Sequence, residues 1–237
     1  MTATNTIVSN IAAIQARIAA AHHLFCPSAP QATLMAVSKT RSAKEIQLAL
    51  SAGIQHIGEN YLQEALAKQA ELQNNAICWH FIGPVQSNKT RDIAEHFSWV
   101  HSVDRAKIIC RLNDQRPPQL TPLNICLQVN INDEASKAGA TIEEIPALAE
   151  LVLNQPRLRL RGLMAIPANT RDPAQQRRNF AAVRELLHTL RQRFPRAQLD
   201  TLSMGMSGDM EAAIAEGATI LRIGSDIFGP RAAAKPD

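Results

Sequence analysis

Aromatic residues make up only 4% of this 237-residue chain. Stacking platforms for single-stranded nucleic acid are therefore scarce. The 25 Lys and Arg outnumber the 21 Asp and Glu, but they are dispersed, and the net charge is only +4. No basic stripe emerges, which argues against a nucleic-acid partner. A mild positive field suits an anionic small ligand. Arg157, Arg159 and Arg161 alternate along one strand-like segment and Arg177-Arg178 lie on a helix, both read as solvated basic faces. No apolar stretch is long enough to span a bilayer. The start Met1-Thr2-Ala3-Thr4-Asn5 lacks the basic region and apolar core of a signal peptide. A cytoplasmic protein with no membrane partner is expected. Cys26, Cys78, Cys110 and Cys126 are scattered, with no CxxC or Cys/His ligand spacing. Neither a metal site nor a disulfide framework is expected, and three of the four read as small core residues. No low-complexity run or linker divides the chain, so one domain over 1–237 is expected, with its core over about 7–231 and a loose tail at 232–237.

What is present is an alternation. Ile7, Ile11, Ile14 and Ile18 form the apolar stripe of a leading helix. The run Leu34 to Lys39 reads as a buried parallel strand. Ser42-Ala43-Lys44-Glu45 is a capping box opening a helix through Ile46 and Leu50 that stops near Gly53. Further strands are expected over 56–60, 79–83, 99–103, 123–131, 158–166, 198–204 and 220–224. Thr141-Ile142-Glu143-Glu144 is a second capping box. Asp172-Pro173 starts a long helix whose buried face carries Phe180, Val183, Leu187, Leu190 and Phe194. A helix over 209–216 closes at Gly217. Eight strand–helix alternations after a leading helix argue for an α/β single-domain TIM (β/α)8 barrel. An open doubly wound sheet is the competitor, and the absence of G-x-G-x-x-G after an early strand weakens its dinucleotide-binding form.

Barrel chemistry collects at the C-terminal ends of the strands. Lys39 ends the first strand, the loop Ser203-Met204-Gly205-Met206-Ser207-Gly208 follows the seventh, and Arg222-Ile223-Gly224-Ser225 ends the eighth. A desolvated lysine amine attacks aldehydes to form a Schiff base; the plainer reading of Lys39 is a strand-end side chain snorkelling to water. The seventh loop offers glycines, hydroxyls and amides before a helix start, a setting that favours an anion. Gly224-Ser225 adds a second set. A lysine, a phosphate cup and an arginine at one barrel mouth suit pyridoxal 5′-phosphate (PLP), with Arg222 facing the pyridine nitrogen. His80 and His101 read as internal hydrogen-bonded histidines. Glu59 either contacts the site or pairs with a basic side chain. Lys137 reads as solvent-exposed rather than as a second anchor.

Several segments carry a family resemblance. They are Ala36-Val37-Ser38-Lys39-Thr40, Gly58-Glu59-Asn60-Tyr61, Trp79-His80-Phe81-Ile82-Gly83, Gln86-Ser87-Asn88-Lys89 and Gln128-Val129-Asn130-Ile131. To these are added Ser136-Lys137-Ala138-Gly139, Gly162-Leu163-Met164, Ser203-Met204-Gly205-Met206-Ser207 and Arg222-Ile223-Gly224. From about Ile7 to Arg231 the chain resembles the pyridoxal-phosphate homeostasis proteins, the YggS/PROSC family. The resemblance implies a barrel like the N-terminal domain of alanine racemase, with PLP as a Schiff base on Lys39. It implies phosphate binding by Ser203, Ser207, Gly224 and Ser225, Arg222 at the ring nitrogen, and Asn60 near the lysine end of the cofactor. It departs at Gly224-Ser225-Asp226-Ile227-Phe228-Gly229, where the family commonly reads Gly-Thr-Ala-Ile-Phe-Gly; Asp226 is expected to point away from the phosphate. The implied role is vitamin B6 homeostasis: a cofactor carrier that is not an enzyme, has no catalytic residue, supplies apo PLP-dependent enzymes and is a monomer. With the eighth strand so near its end, the chain is expected to lack the additional β-domain that supplies racemases with a second base. The alternative is a PLP-dependent amino-acid racemase or related fold-type III enzyme. A third reading is a phosphate-binding barrel without PLP.

Overall fold

Eight parallel strands close into a barrel in chain order, each hydrogen-bonded to the next and the last to the first. The computed structural model describes residues 3–132 and 138–230, with side chains from residue 6. Lys137 and the tail at 232–237 lie outside the described residues.

The leading helix α1 (Ala3–Phe25) precedes β1 (Thr33–Val37), α2 (Ala43–Ser51), β2 (His56–Glu59), α3 (Leu62–Leu72), β3 (Cys78–Phe81), α4 (Thr90–His96) and β4 (Trp99–Val103). Then come α5 (Ala106–Gln115), β5 (Leu123–Val129), α6 (Ile145–Leu153), β6 (Leu158–Ala165), α7 (Pro173–Arg193), β7 (Thr201–Ser203), α8 (Met210–Ala215), β8 (Ile220–Ile223) and α9 (Ser225–Phe228). The expected TIM barrel with an extra N-terminal helix is the fold found. Ile7, Ile11, Ile14 and Ile18 are all buried, as their stripe requires. They seat α1 on α2, α8 and α9, outside the seam where β8 meets β1. Asn10 fixes that seat by donating to the carbonyl of Ile227 at 3.0 Å.

Alternation along the strands makes two layers. Leu34, Ala36, Ile57, Phe81, Ile125, Leu221 and Ile223 belong to the large apolar cluster between sheet and helices. The residues between them face the barrel interior, where Trp99, Cys126 and Met164 form a smaller cluster of their own. Carrying the interior series one step past the strand ends brings Met35–Val37 to Lys39 and His56–Gly58 to Asn60. The same step takes Cys78–His80 to Ile82 and Arg222 to Gly224. This geometry gathers a site at the mouth.

Several expectations need correction. Strand β7 covers only Thr201–Ser203, not 198–204, because residues 197–199 form a tight turn in which Leu199 N–H donates to Ala197 O. The Thr141–Glu144 box forms both reciprocal bonds, yet it closes a turn just ahead of α6, which starts at Ile145. Phe194 caps α7 and is only half-buried. The one-turn helix α9 has no counterpart in the sequence reading. The three alternating arginines do not form one solvated face. A register shift in the β5–β6 pairing leaves Arg161 unopposed between Leu160 and Gly162, and it turns to Asp200 (2.6 Å) and the Trp99 ring (4.7 Å).

Gly162 makes that bulge possible, with φ +154° and no room for a side chain: a Cβ there would lie 1.9 Å from the carbonyl oxygen of Thr201. Gly162→Ala is expected to cost about 3 kcal/mol by urea denaturation. Gly53→Ala, at φ +86° with nothing within 4 Å, is expected to cost only ~1 kcal/mol of backbone strain. Equal costs at the two positions would contradict the packing account of the bulge.

Candidate functional site

The barrel mouth holds a cavity of about 250 Å³ lined by Lys39, Asn60, Ser207, Arg222, Gly224 and Ser225, with Val37, Ile82, Ile166 and Met206 as apolar walls. Six of the seven residues singled out from sequence thus converge on one space. Its size is below the ~300–1,000 Å³ of drug-sized sites, so it suits a small ligand. Arg41 also lines the cavity, but its guanidinium donates to the carbonyls of Gly229 and Pro230 and pairs with Glu45 at 3.4 Å.

Ser203 is the seventh, and it sits elsewhere. It is fully buried one layer below the mouth and does not line the cavity. Its Oγ accepts from Arg222 Nη1 at 3.0 Å and lies 2.8 Å from His101 Nδ1. Its hydroxyl therefore holds Arg222 from behind. The reason is the strand period: Ser203 is the last interior position of β7, whereas the chain reaches the rim only at Ser207.

Arg222 is the electrostatic centre of the site. It is 5% exposed, and no described carboxylate lies within ion-pair distance of it. Burial lowers its pKa to about 10, against the pull of Asp209 and Cys126. Nη1 also donates to the Ser203 carbonyl and Nη2 to that of Ala165 at 3.0 Å. A guanidinium has five donors, so capacity remains for a ligand. Around it, the backbone amides of Ser207, Gly208, Gly224 and Ser225 meet no acceptor among the described residues. The helices that follow are one or two turns long. The amides and hydroxyls themselves, rather than a helix dipole, are the anion donors here. Asn60 Oδ1 is buried without a described partner. A buried cation, free amides, an orphaned acceptor and a lysine amine fit a small aromatic aldehyde carrying an anionic arm. Asp226 reaches away, to Arg17 on α1 at 3.4 Å.

Behind Arg222 runs a chain of imidazoles through the barrel. His101 Nε2 lies 2.9 Å from His80 Nδ1, and His80 Nε2 lies 2.9 Å from His56 Nδ1. His101 on β4 meets Ser203 on β7 across the interior. Arginine only donates, so the arrangement that satisfies every group sends the Ser203 proton to His101 Nδ1. Each imidazole then donates from Nε2 towards His56, which lines a second cavity at the opposite end of the barrel. His80 and His101 are thus the internal hydrogen-bonded histidines expected. His56, Cys78 and His80 have ligand atoms within 4.8 Å of one another. An ion there would have to pull His80 out of this chain, since both its ring nitrogens are engaged.

Glu59 pairs with a basic side chain: Lys68 Nζ reaches its Oε1 at 2.8 Å. Neither Lys68 nor its other partner Glu64, one turn earlier on α3, was singled out from sequence.

A family profile for the alanine racemase N-terminal domain matches residues 9–232. The chain is 57% identical over 227 residues to the pyridoxal phosphate homeostasis protein of Pseudomonas aeruginosa, covering 96% of each. It is 48% identical over 233 residues to that of Escherichia coli, covering 96% of this chain and 97% of the other. The chain belongs to the pyridoxal phosphate homeostasis protein family. Among solved structures, PipY of Synechococcus elongatus with PLP bound matches with a TM-score of 0.81 at 36% identity, covering 94% of this chain and all (100%) of that one. Alanine racemase from Corynebacterium glutamicum has a TM-score of 0.67 at 14% identity, covering 99% of this chain and 63% of that one, a likeness of fold alone.

The imidazole chain gives this family member a pH signature. Burial, then neighbouring charge, depresses His80 far below its ordinary value and His101 to about 3. Below about pH 6.5 the unfolded chain takes up protons that the folded chain refuses, so acidification costs ~1.4 kcal/mol per pH unit for each histidine. Glu59 and Asp209, whose pKa values burial raises, work the other way and offset part of the loss as pH falls through their raised values. Urea unfolding should show stability falling from pH 7 to pH 5, with a shallower slope in His101→Gln. A flat profile in the parent protein would contradict buried neutral histidines.

Proposed function

We propose that this chain holds PLP as a Schiff base on Lys39 and serves vitamin B6 homeostasis as a cofactor carrier without robust catalysis. One observation carries the reading: a buried arginine with no described carboxylate against it lies beneath a small cavity that also presents a lysine amine and a rim of free amides. Such a site favours an anion and offers a nucleophile to an aldehyde. The names of the relatives and the PLP-bound PipY structure support the same ligand. Bound PLP supplies a reactive aldehyde that condenses with a primary amine, releasing water. Lys39 provides the amine, while Ser207, Gly224 and Ser225 hold the phosphate by hydroxyl and amide. Arg222 donates towards the ring nitrogen and disfavours its protonation by like charge. Asn60 accepts near the lysine end. Ser203 acts through Arg222 rather than on the phosphate.

Among the described residues lining the cavity there is no carboxylate, imidazole, thiol or phenol. A racemase-type reaction needs a second acid–base group across the cofactor from the lysine, so a carrier is favoured over an enzyme. On this reading the chain acts as one cytoplasmic domain, as a monomer, and passes PLP to apo-enzymes. No described helix is long and apolar enough to cross a membrane.

Visible absorption of the purified protein mixed with PLP tests the reading. A band in the parent protein that Lys39→Ala lacks is expected; a band in neither, or in both, overturns it. Turnover of a D- or L-amino acid at ordinary enzyme rates, abolished by Lys39→Ala, would favour the racemase instead. Ser207→Ala should keep the band and weaken PLP binding about three- to tenfold, as loss of one hydrogen bond predicts. Unaltered affinity would remove Ser207 from the phosphate cup.

A further inference from the structure

The outward-facing layer beneath Lys39 contains a buried ionic cluster that the cavity does not use. Ser38 and Glu59 are fully buried and Lys68 is 5% exposed. Their positions follow from alternation: Ser38 continues the outward series Leu34–Ala36, Glu59 follows Ile57, and both meet Lys68 from α3. Lys68 Nζ donates to the Ser38 carbonyl at 2.7 Å, to Glu59 Oε1 at 2.8 Å and to Glu64 Oε1. Ser38 Oγ donates to the same Glu59 oxygen at 2.5 Å. Glu64 Oε1 then accepts from the backbone N–H of Thr40 at 2.6 Å.

Thr40 has φ +64°, a left-handed conformation that a β-branched residue adopts only under constraint. The residues on both sides of Lys39 are therefore held by one cluster, Ser38 by Lys68 and Glu59, Thr40 by Glu64. A strand ending in a left-handed residue turns sharply. That turn lets Ser38 stay on the outer layer while Lys39 projects into the mouth. Burying an ammonium and a carboxylate is costly, and such clusters serve specificity of geometry better than stability.

We infer that Lys68 and Glu64 are positioning residues for Lys39: by clamping Ser38 and Thr40 from α3 they fix the turn that aims the Lys39 amine at the aldehyde position. The inference rests on the proposed Schiff base at Lys39. Neither residue lines the cavity. Their loss should therefore weaken the covalent linkage and spare the binding of the anionic arm and ring.

The test compares two ligands that differ at one group. PLP carries the aldehyde; pyridoxine 5′-phosphate carries an alcohol there and can bind only non-covalently. Glu64→Ala and Lys68→Met are each titrated with both, and the visible band is followed for PLP. Glu64 is 28% exposed, so Glu64→Ala gives a folded variant even if Lys68→Met, which strands a buried Glu59, does not. The expected result is a loss of tenfold or more in PLP affinity with a weakened band, and pyridoxine 5′-phosphate affinity unchanged within about twofold. Equal losses for both ligands would mean a general packing role and overturn the inference. So would unchanged PLP affinity in Glu64→Ala. A parent protein that forms no band with PLP would instead overturn the Schiff-base reading itself, so the two failures are distinct.

Discussion

The site depends on a guanidinium buried inside a barrel with no described carboxylate within ion-pair distance of it. Removing Arg222 from water is expensive, and the described structure answers with carbonyls and a serine hydroxyl rather than a counter-charge. That leaves the cation's field directed at the mouth. The imidazoles behind it stay neutral, since burial and the neighbouring Arg222 both hold His101 down to about 3. A second positive charge in the interior would compete for the same anion. Neutral histidines can still pass hydrogen bonding from strand to strand, which fixes Ser203 and through it the plane of the guanidinium.

Two supports thus define the mouth from different layers. The interior layer holds Arg222 through Ser203 and His101. The layer between sheet and helices holds the Lys39 turn through Lys68, Glu59 and Glu64. The free amides after β7 and β8 complete the rim. Helix α1 tightens this side of the barrel, since Arg17 pairs with both Glu211 and Asp226. The Asp226 carboxylate, which facing inward would repel a phosphate, is thereby turned outward.

Much of this was legible from the sequence because barrels convert local patterns into position. Eight strand–helix alternations gave the topology, the strand ends placed Lys39, Arg222 and Gly224 at the mouth, and the family resemblance added Asn60. The depth of each residue was harder. Ser203 and Ser207 sit in one loop motif, but only the point where β7 ends shows that the first lies beneath Arg222 and the second at the rim. The Lys68 clamp was hidden by its spacing. Glu64 and Lys68 look like a surface pair, and only the meeting of α3 with Ser38, thirty residues earlier, shows that Lys68 is buried and that half-buried Glu64 joins its cluster. The imidazole chain joins residues 21 to 102 positions apart. The bulge that turns Arg161 inward breaks the alternation that made three arginines read as one face.

Borohydride reduction of the PLP-loaded protein, followed by peptide mass mapping, tests the central claim most directly. Reduction freezes an imine as a stable secondary amine on the lysine that formed it. The account predicts the phosphopyridoxyl mass on the peptide containing Lys39 and its absence when pyridoxine 5′-phosphate replaces PLP. Labelling confined to another lysine, or no labelling at saturating PLP, would contradict it.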